Sequence, residues 1–256
     1  MKPRIQIASA KTPDGSDMVL SRHDESFCIR LAGQVLMDSR QHESELELAR
    51  LGCAHLVERW EPTILIGGLG LGYTLRQCLD TVGPKAMVTV CEFMDEVIDW
   101  NREHVGALTA HPLRDKRVHL EQGDVVRVLR GSESAFDAIL LDIDNGPNAI
   151  TDRSNSTLYG PNGIDVCARA LTPTGCLAVW SAGPDKAYER ELMRAGFAVR
   201  RYRAPAYAGS KSQARFIFVA ARSKALLPPG GGEPKHHAKK TNDRARRGPS
   251  PRQTVL

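Results

Sequence analysis

The chain has 256 residues and a formal net charge of +5, which is enough length for one α/β domain with small appendages. Its apolar stretches fall short of the roughly 18 residues of a membrane-spanning helix, and the first residues lack the apolar core of a secretory signal. Six scattered cysteines form no C-x-x-C pair. This usage is typical of reduced core residues, so we expect a cytoplasmic protein without membrane or disulfide-rich character.

The first 40 residues predict a small β-rich unit, residues 1–40. Short β-prone segments alternate with turns there, and the last two join at Ala32-Gly33 as a hairpin. The predicted strands are residues 5–7, 18–20, 27–31 and 34–37. Residues 41–59 then carry leucines among charges at helical spacing, which predicts an amphipathic helix.

Residues 41–222 predict one Rossmann-like domain. After Pro62, apolar runs alternate with helical stretches, as the strands and crossover helices of a parallel sheet do. The predicted strands are 63–66, 86–91, 118–121, 136–142 and 176–180, and the pair 199–203 and 214–221 closes the sheet. The intervening helices are 73–79, 94–105, 125–129, 164–171 and 186–195. The fold class is therefore α/β, doubly wound, with a mostly parallel sheet.

Residues 223–256 predict a disordered basic tail. From residue 228 onward the sequence contains seven lysines and arginines but only two acidic residues. This excess accounts for the whole net charge, so the rest of the chain is neutral. The tail has few apolar residues and many glycines and prolines. It either solubilises the protein or makes a weak electrostatic contact with nucleic acid. A neutral body argues against nucleic acid as the main substrate.

A glycine-rich turn and a downstream acid carry the strongest functional signal. Gly68, Gly70 and Gly72 follow the apolar strand 63–66 and precede a helix, a geometry that presents bare backbone N–H groups to a ligand. Alternating glycines cost backbone entropy, which favours a ligand as their reason. Glu92 ends the next apolar run, where a carboxylate can accept hydrogen bonds from two ribose hydroxyls.

The spacing of these glycines argues against a nicotinamide site. The G-x-G-x-x-G fingerprint would place its third glycine at Tyr73 or at Leu75, so both registers fail. The G-x-G-x-G spacing instead resembles the nucleoside loop of the class I methyltransferase fold. That resemblance implies S-adenosylmethionine, or its decarboxylated form, as the bound donor.

Further residues make the chain similar to the spermidine-synthase-like branch of that fold over roughly residues 17–221. They are the N-terminal hairpin, the glycine loop, Glu92, the Gly123-Asp124 pair, Asp142 at a strand end, Leu158-Tyr159 and residues 171–175. The resemblance implies that Gly68, Gly70 and Gly72 line the amino-acid part of the donor. It implies that Glu92 binds the ribose and that Asp124 accepts from the adenine amine beside Gly123. A helix N-cap is the alternative role for Asp124.

The chain departs from the pattern of that branch at two places. The polyamine enzymes carry an acid inside the glycine loop that holds the aminopropyl ammonium, and here that position is Gly70. Their proton-accepting Asp falls on Asn145 in the run 142–147, and an amide is no useful base. The candidate catalytic residues are therefore Asp142, which would orient a substrate, Asp144, which would accept the proton, and Asn145 at the family's base position.

Three functions follow. The first is methyl transfer from S-adenosylmethionine to a small-molecule amine or hydroxyl, favoured because the donor's carboxylate suits a loop without an acid. The second is aminopropyl transfer in polyamine biosynthesis, and the third is a non-catalytic nucleoside-binding relative.

A homodimer is expected from the resemblance alone. No metal site is predicted, because residues 180–183 supply no ligands to complement Asp142 and Asp144. His42, Glu43 and Glu45 either overhang the crevice as an acceptor gate or form a solvated helix face.

Overall fold

A computed structural model describes residues 3–12, 15–143, 156–210 and 215–233, and within these ranges the chain forms two β-sheets. The strands are β1 Ile5–Lys11, β2 Asp17–His23, β3 Ser26–Leu31, β4 Gln34–Asp38, β5 Thr63–Gly67, β6 Met87–Glu92, β7 Val118–Gln122, β8 Phe136–Leu141, β9 Leu171–Ser181, β10 Ala198–Ala204 and β11 Arg215–Ala221. The α-helices are α1 Glu43–Gly52, α2 Tyr73–Thr81, α3 Asp95–Trp100, α4 Val125–Arg130, α5 Ser156–Tyr159, α6 Pro161–Ala170 and α7 Lys186–Arg194.

The larger sheet has seven strands in the order β10-β11-β9-β8-β5-β6-β7. Strands β5 to β9 pair in parallel, and β11 is antiparallel to both of its neighbours. The strand order reverses beside β5, so the crevice at the carboxyl ends of β5, β6 and β8 is where such folds bind ligands. The predicted α/β, doubly wound, mostly parallel sheet is confirmed.

The central strand β5 is apolar throughout because both faces of the sheet are covered. Ile64, Leu65 and Ile66 are all fully buried, in two different core clusters. One cluster lies under α1, α2 and α3, and the other lies under α4, α6 and α7. The glycine loop at the carboxyl end of β5 is therefore held by a rigid frame on both sides.

The smaller sheet is an antiparallel meander in the order β1-β2-β3-β4. Its buried residues Met18, Leu20 and Ile29 belong to the same core cluster as α1 and α2. The predicted hairpin of residues 27–31 and 34–37 is present as β3 and β4. Through this packing the N-terminal unit lies beside the glycine loop, where Met37 comes close to Gly70.

The boundaries of α1 and β9 are among those that differ from the sequence prediction. Helix α1 ends at Gly52 and continues as a short 3₁₀ turn, whereas a helix to residue 59 was predicted. A Cβ at Gly52 would lie within 2.9 Å of the Ala178 side chain and closer still to Leu140, so the helix meets the sheet there. Strand β9 begins at Leu171, within the segment predicted as helix and turn.

The predicted boundary of the basic tail at residue 223 moves toward the C-terminus. Ser223 caps a 3₁₀ turn at residues 224–226, and the Leu227 side chain is buried. The Tyr202 hydroxyl donates to the Pro228 carbonyl at 2.5 Å, and Gly232 forms a bridge with Arg201. Residues 223–233 thus pack against β10, and the rest of the predicted tail lies outside the described residues.

Candidate functional site

The glycine loop joins β5 to α2 with three left-handed residues. The φ angles of Gly68, Gly70 and Gly72 are 92°, 55° and 87°, which side chains rarely adopt. A Cβ at Gly68 would lie 2.3 Å from the Asp142 carbonyl oxygen, and one at Gly72 would lie 2.9 Å from Thr109 Oγ1. Contrary to the sequence interpretation, two of these glycines therefore have a packing reason within the protein itself.

Gly70 differs from the other two loop glycines. The nearest atom to its Cβ position is the Met37 Sδ at 3.6 Å, an ordinary van der Waals contact. Its carbonyl accepts a hydrogen bond from Asn101 Nδ2 at 2.8 Å, which fixes the peptide plane. A side chain at Gly70 would thus meet Met37 at ordinary van der Waals distance, and the loop brings no acid of its own there.

Glu92, the last residue of β6, is buried with its carboxylate turned inward. Its Oε2 accepts from the Leu69 backbone N–H and its Oε1 accepts from Met94 N–H, both at 2.9 Å. Burial raises the pKa of this carboxyl, and the backbone donors oppose that shift. Glu92 therefore ties the glycine loop to the start of α3. The backbone N–H groups of Phe93 and Gly70 act on the same carboxylate and also lower its pKa.

Gly123 and Asp124 follow β7 at the same edge of the sheet. Gly123 N–H donates to the Glu92 carbonyl at 2.8 Å, which brings this turn alongside Glu92. Asp124 is exposed and caps α4, because its Oδ1 accepts from the Val126 N–H at 2.8 Å. The N-cap alternative for Asp124 is thus present in the structure. Its second oxygen, Oδ2, forms no hydrogen bond with another described residue.

Asp142 follows β8 and faces the glycine loop. Its N–H donates to the Gly67 carbonyl at 2.8 Å, and its Oδ2 accepts from the Thr74 hydroxyl at 2.6 Å. The side chain is half-buried. Burial raises the pKa of the Asp142 carboxyl to about 6, and the Thr74 hydroxyl opposes that rise. The predicted catalytic residues Asp144 and Asn145 lie outside the described residues.

Glu45 is one of the three residues that the sequence assigned either to an acceptor gate over the crevice or to a solvated helix face. Glu45 lies in the first turn of α1 and is half-buried. Thr74 Oγ1 lies 3.4 Å from its backbone carbonyl, so Glu45 and Asp142 contact the same threonine. Burial raises the pKa of the Glu45 carboxyl well above its ordinary value, and the nearby Asp142 raises it further. A signal existed, since Glu45 lies three, four and seven residues before the buried Leu48, Ala49 and Gly52.

His42 and Tyr73 form the wall between α1 and the loop. Their rings stack at 4.1 Å between centroids with 9° between planes. The Tyr73 hydroxyl donates to the Ser39 carbonyl at 3.3 Å, and the same carbonyl lies 2.7 Å from His42 Nδ1. This packing connects the end of β4 to the starts of α1 and α2, and so it positions Glu45 and Thr74 at the crevice.

Other features of the described residues do not compete with this crevice. A surface depression of about 620 Å³ is lined by Val82, Pro84 and residues 114–117, which precede β6 and β7. It therefore lies at the amino ends of these strands, away from the glycine loop. Within the described ranges, no group of three His, Cys, Asp or Glu side chains has metal-binding geometry. None of the described helices is long and apolar enough to span a membrane.

Comparison with known proteins addresses the fold. No protein-family model matches the chain. A polyamine aminopropyltransferase of Prochlorococcus marinus is 26% identical over 130 residues, which are 50% of this chain but only 44% of that relative. The crystal structure of spermidine synthase from Thermotoga maritima superposes with a TM-score of 0.69 at 18% identity, covering 88% of this chain and 75% of that one.

Two further solved structures agree. A spermidine synthase in complex with the transition state analogue AdoDATO gives a TM-score of 0.68 at 18% identity, covering 88% of this chain and 76% of that one. The chain has the spermidine synthase fold. A probable spermidine synthase from Corynebacterium glutamicum gives 0.62 at 17% identity, covering 91% and 90%. The resemblance predicted from the sequence is confirmed at the level of this fold.

Proposed function

We propose that the chain is an aminopropyltransferase that uses decarboxylated S-adenosylmethionine and a small amine as acceptor. The observation that carries this is the half-buried Asp142 carboxylate facing the glycine loop at the topological switch point. An acid there suits an ammonium or amine better than it suits a donor's carboxylate. The named relatives in sequence and in structure are aminopropyltransferases and spermidine synthases, which favours aminopropyl over methyl transfer.

The donor's nucleoside would lie across the carboxyl ends of β5, β6 and β7. In this arrangement the Glu92 carboxylate would accept hydrogen bonds from the ribose hydroxyls, while the Leu69 and Met94 N–H groups hold it in place. Asp124 Oδ2 accepts from the adenine amine, and Gly123 leaves room for the ring. Gly68, Gly70 and Gly72 shape the wall beside the chain that bears the sulfonium.

The reaction would be an in-line displacement. The acceptor nitrogen forms a bond to the methylene carbon next to the sulfonium, the carbon–sulfur bond breaks, and the electron pair remains on the departing thioether. The attacking nitrogen loses one proton. Asp144 would accept it, while Asp142, whose pKa burial raises to about 6, would be largely ionised at neutral pH and would orient the donor's ammonium. Asn145 has no basic oxygen and would only donate or accept a hydrogen bond.

The deciding experiment supplies the purified full chain with either donor and a set of small diamines. Aminopropyl transfer predicts methylthioadenosine release and an acceptor lengthened by one aminopropyl group, detected by mass spectrometry, with the decarboxylated donor only. Asp144→Asn should leave donor binding intact and reduce turnover. Product from S-adenosylmethionine alone would refute the proposal in favour of methyl transfer, and a chain that binds neither donor would support the non-catalytic relative.

Methyl transfer is the second candidate function because of Gly70. The loop carries no acid, and the space before Gly70 meets only the Met37 thioether. The carboxylate of S-adenosylmethionine would meet less repulsion there than in a loop with an aspartate. The same assay, run with S-adenosylmethionine and with amine or hydroxyl acceptors, tests this reaction directly.

A further inference from the structure

The acid pair Glu45 and Asp142 has an unusual electrostatic setting. Both residues are half-buried and contact Thr74, whose hydroxyl donates to the Asp142 carboxylate at 2.6 Å and lies 3.4 Å from the Glu45 backbone carbonyl. The two carboxyl charges are near enough to repel each other, and this repulsion adds to the rise in the pKa of Glu45 that burial causes. None of the salt bridges among the described residues involves either carboxylate. Two carboxylates that share a partly desolvated space repel each other, and a cation between them would relieve that repulsion.

The surroundings of the pair indicate where that cation would come from. Thr74 lies in the first turn of α2, directly after the glycine loop, so the pair flanks the loop and not a distant surface. Met37 closes the crevice above Gly70 with an apolar thioether. Arg40, which precedes α1, and Arg50, in the last turn of α1, form salt bridges with Asp38 and Glu47. A mobile ligand cation therefore fits this space better than a protein side chain does.

We infer that Glu45, acting with Asp142, binds the ammonium group of the donor and selects the decarboxylated form, a role that rests on the proposed function. Glu45 supplies from α1 the negative charge that the loop lacks at Gly70. The donor's primary ammonium would lie between the two carboxylates, close to the Thr74 hydroxyl. A donor that keeps its carboxylate would instead bring a third negative charge toward this pair.

The test measures dissociation constants by calorimetry for decarboxylated S-adenosylmethionine, S-adenosylmethionine and methylthioadenosine, which lacks the ammonium. Glu45→Gln keeps the size of the side chain and removes its charge. We expect it to weaken binding of the decarboxylated donor about tenfold, or about 1.4 kcal/mol, with methylthioadenosine unchanged within about twofold. The matched control Glu47→Gln, on the same helix beside Arg50, should leave all three constants unchanged.

A second variant moves the charge back into the loop. Gly70 has a φ of 55°, a left-handed conformation that aspartate tolerates better than most residues. A Cβ added there would lie at an ordinary van der Waals distance, 3.6 Å, from Met37 Sδ. Glu45→Gln combined with Gly70→Asp should restore the preference for the decarboxylated donor. Because this variant regains a function, its success cannot arise from a folding defect.

Each outcome separates the inference from the function it rests on. If the wild-type chain prefers the decarboxylated donor and Glu45→Gln keeps that preference, the inference is wrong and the proposed function stands. Equal weakening of all three ligands in Glu45→Gln would make Glu45 a structural residue and would also overturn the inference. If the wild-type chain shows no preference for the decarboxylated donor, both are refuted.

Discussion

The Asp142→Asn variant should make the protein more stable at alkaline pH. Because the folded-state pKa of Asp142 is about 6, above its ordinary 3.8, the folded state binds the proton more tightly than the unfolded state does. Stability therefore falls as pH rises from about 4 to 6, and the full penalty remains at higher pH. An amide in this position never ionises, so the variant escapes the penalty.

The size of this effect follows from the pKa. Raising the pKa of Asp142 from 3.8 to about 6, at 1.36 kcal/mol per pH unit, gives an upper limit of about 3 kcal/mol. Asp142 is half-buried, so solvent screening leaves about 1 to 2 kcal/mol at pH 8. The gain should shrink as the pH falls toward 4 and approach zero only below about pH 3, where the carboxyl is protonated in both states.

Urea unfolding at pH 4, 6 and 8 measures this difference directly. The exposed Asp99→Asn variant, which loses only a surface contact with Arg102, controls for the general effect of the substitution and should stay within about 0.5 kcal/mol throughout. An Asp142→Asn gain that is equal at all three pH values, or a loss of stability at pH 8, would refute the electrostatic argument. Asp142 would then be a satisfied structural carboxylate.

Three further predictions test the frame around the site. Gly68→Ala should cost about 1 to 3 kcal/mol more than Gly15→Ala in thermal unfolding, because both have positive φ but only Gly68 faces a backbone oxygen; equal losses would contradict the close-packing reason. Glu92→Gln should lose about 1 to 3 kcal/mol, since one of two backbone N–H partners is left unpaired, and should abolish methylthioadenosine binding; retained binding removes it from the ribose site. A chain ending at residue 222 should be less stable than one ending at residue 233 by about 2 kcal/mol, because it loses the buried Leu227, and equal melting temperatures would show that this segment contributes nothing.

Much of the fold could be predicted because its signals are local. The strand β5 is bounded by a proline and a glycine and is buried on both faces, so its apolar run is continuous. The strand order and the position where α1 ends are not local. Helix α1 stops where Gly52 meets Leu140 and Ala178, which are about 90 and 125 residues away in the chain, and only the folded sheet brings them together.

The same distinction between local signals and tertiary contacts applies to the site. Glu92 and Asp142 could be found because each follows an apolar run and so must lie at a strand end. Their hydrogen-bond partners could not be found, since the Leu69 N–H and the Thr74 hydroxyl reach them through the tertiary fold. The packing reason for Gly68 was missed for the same cause, because the Asp142 carbonyl is 74 residues away.

The position of Glu45 bears on how a departure from a family pattern is interpreted. The absence of an acid at Gly70 favoured methyl transfer as long as the loop was considered alone. The structure places Glu45 of α1 on the same threonine as Asp142, and the two carboxyl charges interact, so the crevice keeps two acids although the loop has none. Burying such a pair without a cation lowers stability, and a cost of this kind persists in proteins mainly where function requires it. The charge of the whole crevice, and not one loop position, therefore decides which donor the site favours.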